Sequence, residues 1–216
     1  MLDFTVKENS SLTSVPSLNE IPTKGGVVTN CSVMQVEVKS STAKDYGQLL
    51  KVYRAFFSEA IAIISSHSSC IDVQSLGTRL TAVVSTPFKK NIEALIDRAA
   101  MINTLAQVIT RKASGMGLPE ISVRIGIDFG EVMLMRFGKY DPNEISPKAQ
   151  AWIGNPVLMS SKLIETPNSS WNIWISRVVY NNLNDEYQKF FHHETESSRY
   201  GADIINTYMK NWLNNQ

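Results

Sequence analysis

From Phe88 to Ala113 the chain places Ile92, Leu95, Ile96, Ala99, Ile102, Leu105 and Ile109 at intervals of three and four residues. That spacing lines one face of a long helix, and Ser114-Gly115-Met116-Gly117 ends it. A helix this long with a single apolar stripe needs an equally long apolar surface to cover it. Leu49, Tyr53, Phe56, Ala60 and Ile63 repeat the pattern, so a second amphipathic helix is expected over residues 43–66. Between and around the helices the period changes to two: Cys31 to Val38 reads as a strand, and "CIDVQSL" and "RLTAVVS" read as a hairpin turning at Gly77-Thr78. "RIGIDFGEVMLMRFG", from Arg124 to Gly138, reads as another hairpin folded at Phe129-Gly130-Glu131. A polar loop follows from Lys139 to Lys148, then a short helix from about Pro156 to Glu165, the strand "WNIWIS", and an amphipathic C-terminal segment with Ile204, Tyr208 and Leu213. Strands separated by whole helices, with hairpins included, give an α+β fold: one mixed sheet covered by helices.

At 216 residues with 43% hydrophobic content, the chain can bury one full core, and a single domain is expected. Residues 1–28, rich in Ser, Thr, Asn and Pro, read as an irregular arm, and residues 29–216 as the folded domain with its C-terminal helical segment. A formal net charge of +1 argues against an electrostatic nucleic-acid or membrane binder, which leaves a small molecule or another protein as partner. No apolar stretch is long enough to span a bilayer and the N-terminus lacks the order of a signal peptide, so a cytoplasmic location is expected. Cys31 and Cys70 fall in strands without CxxC spacing and read as buried thiols. His192-His193-Glu194 is adjacent in sequence, not at the i, i+4 spacing that would gather zinc ligands. Trp171 and Trp174 are expected on opposite pleats of one strand.

Four stretches, in order, resemble the class III nucleotidyl cyclase homology domain: "QVEVKSST" (35–42), "DVQSLGTRLTAVVSTP" (72–87), "RIGIDFGEVMLMRFG" (124–138) and "WIGNPVLMSSKLIE" (152–165). Within the class, "GIDFGE", "WIGNPV" and the Pro-containing arm look most like the pyrimidine (uridylate or cytidylate) cyclases of Pycsar antiphage systems. The resemblance spans roughly residues 31–184 and implies a ferredoxin-like α+β domain with a mixed, mostly antiparallel sheet.

It also implies a reaction. In such cyclases the ribose 3′-hydroxyl attacks the α-phosphate of a nucleoside triphosphate. Two Asp carboxylates hold two Mn2+ or Mg2+ ions, and a partner chain supplies an Asn and an Arg, so a homodimer is implied. Carried over, the metal positions fall on Glu37 and Thr78, the Asn on Leu158 and the Arg on Lys162. Ser41, Thr42 and Asn155 fall where substrate is bound, and the purine-selecting Lys and Asp are replaced by Gln74 and Ala151. Each position also has an ordinary reading. Glu37 suits a strand end, Thr78 a turn, Leu158 packing, Lys162 a solvated charge, and Ser41 and Thr42 a helix cap. Two functions stay open: a cyclase making a cyclic pyrimidine nucleotide for a downstream receptor effector in antiphage defence, or a degenerate domain acting as a dimer partner or nucleotide sensor.

Overall fold

The computed structural model describes residues 5–8, 25–40, 45–137, 149–165, 170–194 and 198–215. Among the described residues nine strands form one sheet whose main path runs β3 (Cys70–Leu76), β4 (Arg79–Val84), β2 (Gly25–Ser40), β5 (Ile121–Phe137), β7 (Ile173–Ser176), β9 (Arg199–Ala202) and β8 (His192–His193). β1 (Thr5–Glu8) pairs with β2 and β6 (Ala149–Gly154) with β5. All pairs are antiparallel except β1–β2 and β5–β7. Thr5–Glu8 thus adds a short parallel strand within the stretch expected to be irregular.

The expected hairpin at Phe129-Gly130-Glu131 is absent. Residues 121–137 form a single 17-residue strand, and β2 pairs with it continuously from Gly26↔Met135 to Ser40↔Ile121. The hairpin partner of β5 is β6, which pairs from Val132↔Gly154 to Phe137↔Ala149. Two elements share the far edge of β5: β7 along Ile125–Ile127, and β6 beyond Val132. Gly130 lies where the edge passes from one to the other. The loop expected at Lys139 to Lys148 lies outside the described residues.

One face of the sheet carries the main core. Met34, Val36, Val38, Leu80, Ala82, Val84, Val123, Ile125 and Ile127 point toward α1 (Tyr46–Ser65) and α2 (Lys89–Ser114), whose Phe56, Ala60, Ile64, Leu95, Ile96 and Ile102 meet them. Asp45 caps α1 by accepting from the Gly47 N–H at 2.7 Å. The long apolar stripes of the sequence are thereby satisfied. α6 (Thr207–Asn214) closes this layer by burying Leu213, while Tyr208 stays 82% exposed.

The opposite face is different. Val27, Cys31, Val33, Val83, Val132, Leu134 and Trp152 form a smaller core at its outer half, and α3 (Asn155–Ile164) lies across the rest. Two glycines admit α3: a Cβ on Gly126 would meet the Ser160 carbonyl oxygen at 2.2 Å, and one on Gly130 would meet Pro156 at 3.3 Å. Trp171 and Trp174 do not sit on opposite pleats of one strand. Trp171 precedes β7, packs edge-on against Trp174 with centroids 5.4 Å apart, and stacks on His192.

Candidate functional site

Register assembles the site on the face that α3 crosses. Glu37 of β2 stands opposite Arg79 of β4 and opposite Arg124 of β5, so one carboxylate lies in a row between two arginines. Arg79 donates from Nε to Glu37 Oε1 at 3.0 Å, and its Nη2 lies 3.0 Å from the same oxygen. The other oxygen of Glu37 faces Lys39 Nζ at 3.5 Å. Arg79 also reaches α3, donating from Nη1 to Ser161 Oγ at 3.1 Å and from Nη2 to Glu165 at 3.5 Å. The guanidinium therefore ties the β3–β4 hairpin to the last turn of α3, where the negative end of the helix dipole favours a cation.

Thr78 sits in the turn beside Glu37, with its carbonyl accepting from the Val38 N–H at 2.9 Å, and the preceding Gly77 takes φ 59°. The two positions matched to the family's metal carboxylates are thus neighbours in space. Their donor set does not fit a pair of divalent ions. Thr78 brings a neutral hydroxyl, both oxygens of Glu37 face cations, and no group of three or more His, Cys, Asp or Glu side chains among the described residues is placed to hold a metal. Ser41 and Thr42 lie outside the described residues.

Asn155, Leu158 and Lys162 share one outward stripe of α3, while Pro156, Ser160, Leu163 and Ile164 face the sheet. Lys162 and Asn155 are exposed, and Leu158 is 62% exposed, so its packing role is not within this chain's core. The stripe points away from the Glu37 row of its own chain.

Asp72 is engaged with β6 and with its own strand. Its Oδ2 accepts from Gln74 Nε2 at 2.7 Å, Gln150 Nε2 at 2.8 Å and Trp152 Nε1 at 2.8 Å. This bridge fastens the edge strand β3 to β6 and occupies the Gln74 side chain. Ala151, one residue along, lies on the opposite pleat from Gln150 and Trp152. Gln150 Oε1 is buried without a hydrogen-bond partner. Nearby, desolvation pushes the half-buried Cys70 thiol up, with the Asp72 charge adding to it, and burial pushes Cys31 up to about 12. Both shifts disfavour the thiolate, the nucleophilic form.

Sequence reasoning missed three contributors. Arg79 directly follows the Gly77-Thr78 turn, which places it opposite Leu76, but its position opposite Glu37 comes from the pairing of β4 with β2 and had no local signal. The Asp72 bridge depends on the lie of β6 over β3 and had no local signal. Asp128, 3% exposed, lies on the same face between Gly126 and Gly130 and hence beneath the start of α3, an unusual place for a carboxylate that strand alternation alone indicates.

No family model matches the chain. It is 24% identical over 225 residues to a protein of Treponema porcinum named uridylate cyclase, covering 95% of this chain and 76% of that protein. It is 26% identical over 238 residues to a uridylate cyclase of Gulbenkiania mobilis, covering 97% and 90%. Among solved structures, the guanylyl cyclase Cya2 superposes with a TM-score of 0.66 at 13% identity, over 84% of this chain and 95% of that one. A class III adenylyl cyclase-like ATP-binding protein from Pseudomonas aeruginosa superposes with a TM-score of 0.72 at 13% identity, over 97% of this chain and 46% of that one. Fold and motif order define a likeness: the chain has the fold of the class III nucleotidyl cyclases, and the order of its motifs resembles theirs. Its sequence is similar to the two proteins named uridylate cyclase along nearly its whole length.

Proposed function

We propose that this chain acts, as a homodimer, on a pyrimidine nucleoside triphosphate, UTP before CTP, and converts it to the 3′,5′-cyclic monophosphate and pyrophosphate. The observation that carries this reading is similarity to two proteins named uridylate cyclase over 95% and 97% of the chain, on a fold of the cyclase class. In the reaction the ribose O3′ forms a bond to the α-phosphorus while the bond from that phosphorus to the bridging oxygen toward the β-phosphate breaks. The hydroxyl proton leaves to solvent, and pyrophosphate carries away the charge. The chain's own residues offer cations for the phosphates at Lys39 and Arg79. Lys162, on the outward stripe of α3, is the group one protomer would extend to its partner's substrate, and Asn155 shares that stripe. Gln74 and Ala151 give no purine-selecting Lys and Asp pair, which favours a pyrimidine. The cyclic product would act as a second messenger for a receptor effector in antiphage defence, made in the cytoplasm; among the described residues no helix is long and apolar enough to cross a membrane.

A second reading rests on a specific observation, the Arg79–Glu37 pair together with Leu158 in place of a polar group: the domain binds nucleotide and signals through its partner without turnover. Incubating the purified protein with ATP, GTP, CTP and UTP separately, with and without manganese, and separating the products by chromatography decides between them. Cyclic UMP with pyrophosphate, and little product from ATP or GTP, is the expected result. Folded dimer that yields no cyclic product from any nucleotide would leave only the binding reading.

A further inference from the structure

We propose that the guanidinium of Arg79 stands in for the divalent cation at the Glu37 position, and that with Lys39 it forms a metal-independent site for a polyphosphate. As applied to nucleotides this rests on the reading above; the anion site itself does not.

The geometry around Glu37 is that of a filled cation site. Arg79 approaches one carboxylate oxygen through two nitrogens at 3.0 Å, and Lys39 faces the other at 3.5 Å. Across the strand on the other side stands Arg124. Arg79 and Lys39 together balance the two carboxylates they face, Glu37 and Glu165, before any ion arrives. A divalent cation would have to displace Arg79 from Glu37 and would then lie beside a guanidinium and an ammonium. A polyphosphate brings the opposite sign.

The heads of both donors reach solvent: the Arg79 side chain is 34% exposed and that of Lys39 50%. Arg79 also has alternative partners on α3, Ser161 and Glu165, so it can turn from Glu37 toward a phosphate while still held in place. The planar guanidinium fork matches two phosphate oxygens at once, which an ammonium cannot do.

Glu37 then has a role opposite to that of a metal ligand. Here it positions Arg79 and repels the anion; at a metal site it would attract the ion that binds the anion. The two roles give opposite signs for one substitution. Glu37→Gln keeps an oxygen that accepts from Arg79 and so preserves the local fold, while removing the negative charge.

The test is calorimetric titration of the full chain with inorganic tripolyphosphate and with UTP, each in EDTA and in manganese, on the wild type, Arg79→Met and Glu37→Gln. Tripolyphosphate is expected to bind in EDTA, roughly tenfold more weakly to Arg79→Met and several-fold more tightly to Glu37→Gln. Binding that requires manganese, weakens in Glu37→Gln and is unchanged in Arg79→Met would overturn the proposal and restore Glu37 as a metal ligand. Absence of tripolyphosphate binding to the wild type in EDTA would overturn it as well. Tripolyphosphate behaving as expected while UTP fails to bind would uphold the anion site and remove the nucleotide reading instead.

Discussion

One oxygen of Asp72 accepts three N–H donors, from Gln74, Gln150 and Trp152, and two of those donors belong to a strand that is not its neighbour in the sheet. Hydrogen bonds to a charged acceptor contribute about 1.5–3 kcal/mol each, and a buried donor left without one costs about 1–3 kcal/mol. Trp152 is part of the smaller core, so its indole N–H has no water to turn to when the acceptor is removed. Asp72→Ala is therefore expected to destabilise the fold by about 2–3 kcal/mol, lowering the melting temperature by roughly 4–10 °C for a chain of this size. A melting temperature within a degree of wild type, read by circular dichroism, would mean that β6 is held by its pairing with β5 alone. Arg79 is a second case in which one side chain joins elements far apart in sequence, linking Glu37 to Ser161 and Glu165. Such residues were legible only in part. Glu37 and Thr78 could be placed from motif order, whereas the identity of the group facing Glu37 depends on cross-strand register. β2 is joined to neither β4 nor β5 by a turn, so no count from a turn sets that register.

At the scale of elements, α3 owes its position to the absence of side chains beneath it. Gly126 and Gly130 are both on β5, four residues apart, and both lie under the helix. At Gly126 the obstruction to a Cβ is backbone, the Ser160 carbonyl oxygen at 2.2 Å, with Leu163 Cβ at 3.0 Å behind it. Backbone cannot rotate aside, so Gly126→Ala must lift the helix from the sheet, an overpacking cost of about 1–3 kcal/mol. The melting temperature is expected to fall by roughly 2–10 °C, and the Arg79 contacts to Ser161 and Glu165 to loosen with it. Normal stability in Gly126→Ala, with a crystal structure showing α3 unmoved, would refute this packing. The same glycines explain where the sequence misled. Gly130 between two apolar runs carries the ordinary signature of a hairpin turn. Its φ is not positive, however, and β2 pairs straight past it, because the glycine serves close approach of a helix. The helices were readable because their stripes run long and regular. The β3–β4 hairpin was readable because Gly77 does take the left-handed conformation that its turn demands.

The whole molecule leaves one region unfinished. The helical face of the sheet is sealed by α1, α2 and α6, but among the described residues the helix on the other face is α3, and the large apolar side chains left exposed there include Leu158 at 62% and Leu76 at 86%. Leu158 lies on the outward stripe of α3, and Leu76 ends β3 beside Arg79. An exposed leucine between the candidate substrate residues Asn155 and Lys162 is expected of a surface that a second copy covers. Such a copy would also bring its own Lys162 toward a neighbour's site. In a twofold arrangement every residue counts twice, so a charge at Leu158 loses the burial of two side chains, about 1.5–3 kcal/mol each, and adds the desolvation of two carboxylates. Leu158→Glu is thus expected to weaken association by at least a hundredfold, turning a dimer at micromolar concentration into a monomer in sedimentation velocity while leaving the far-ultraviolet spectrum unchanged. Wild-type protein sedimenting as a monomer at tens of micromolar would end the dimeric reading, and with it the role of Lys162 across an interface. A dimer that survives Leu158→Glu would place the interface elsewhere on the molecule and return α3 to the service of its own chain.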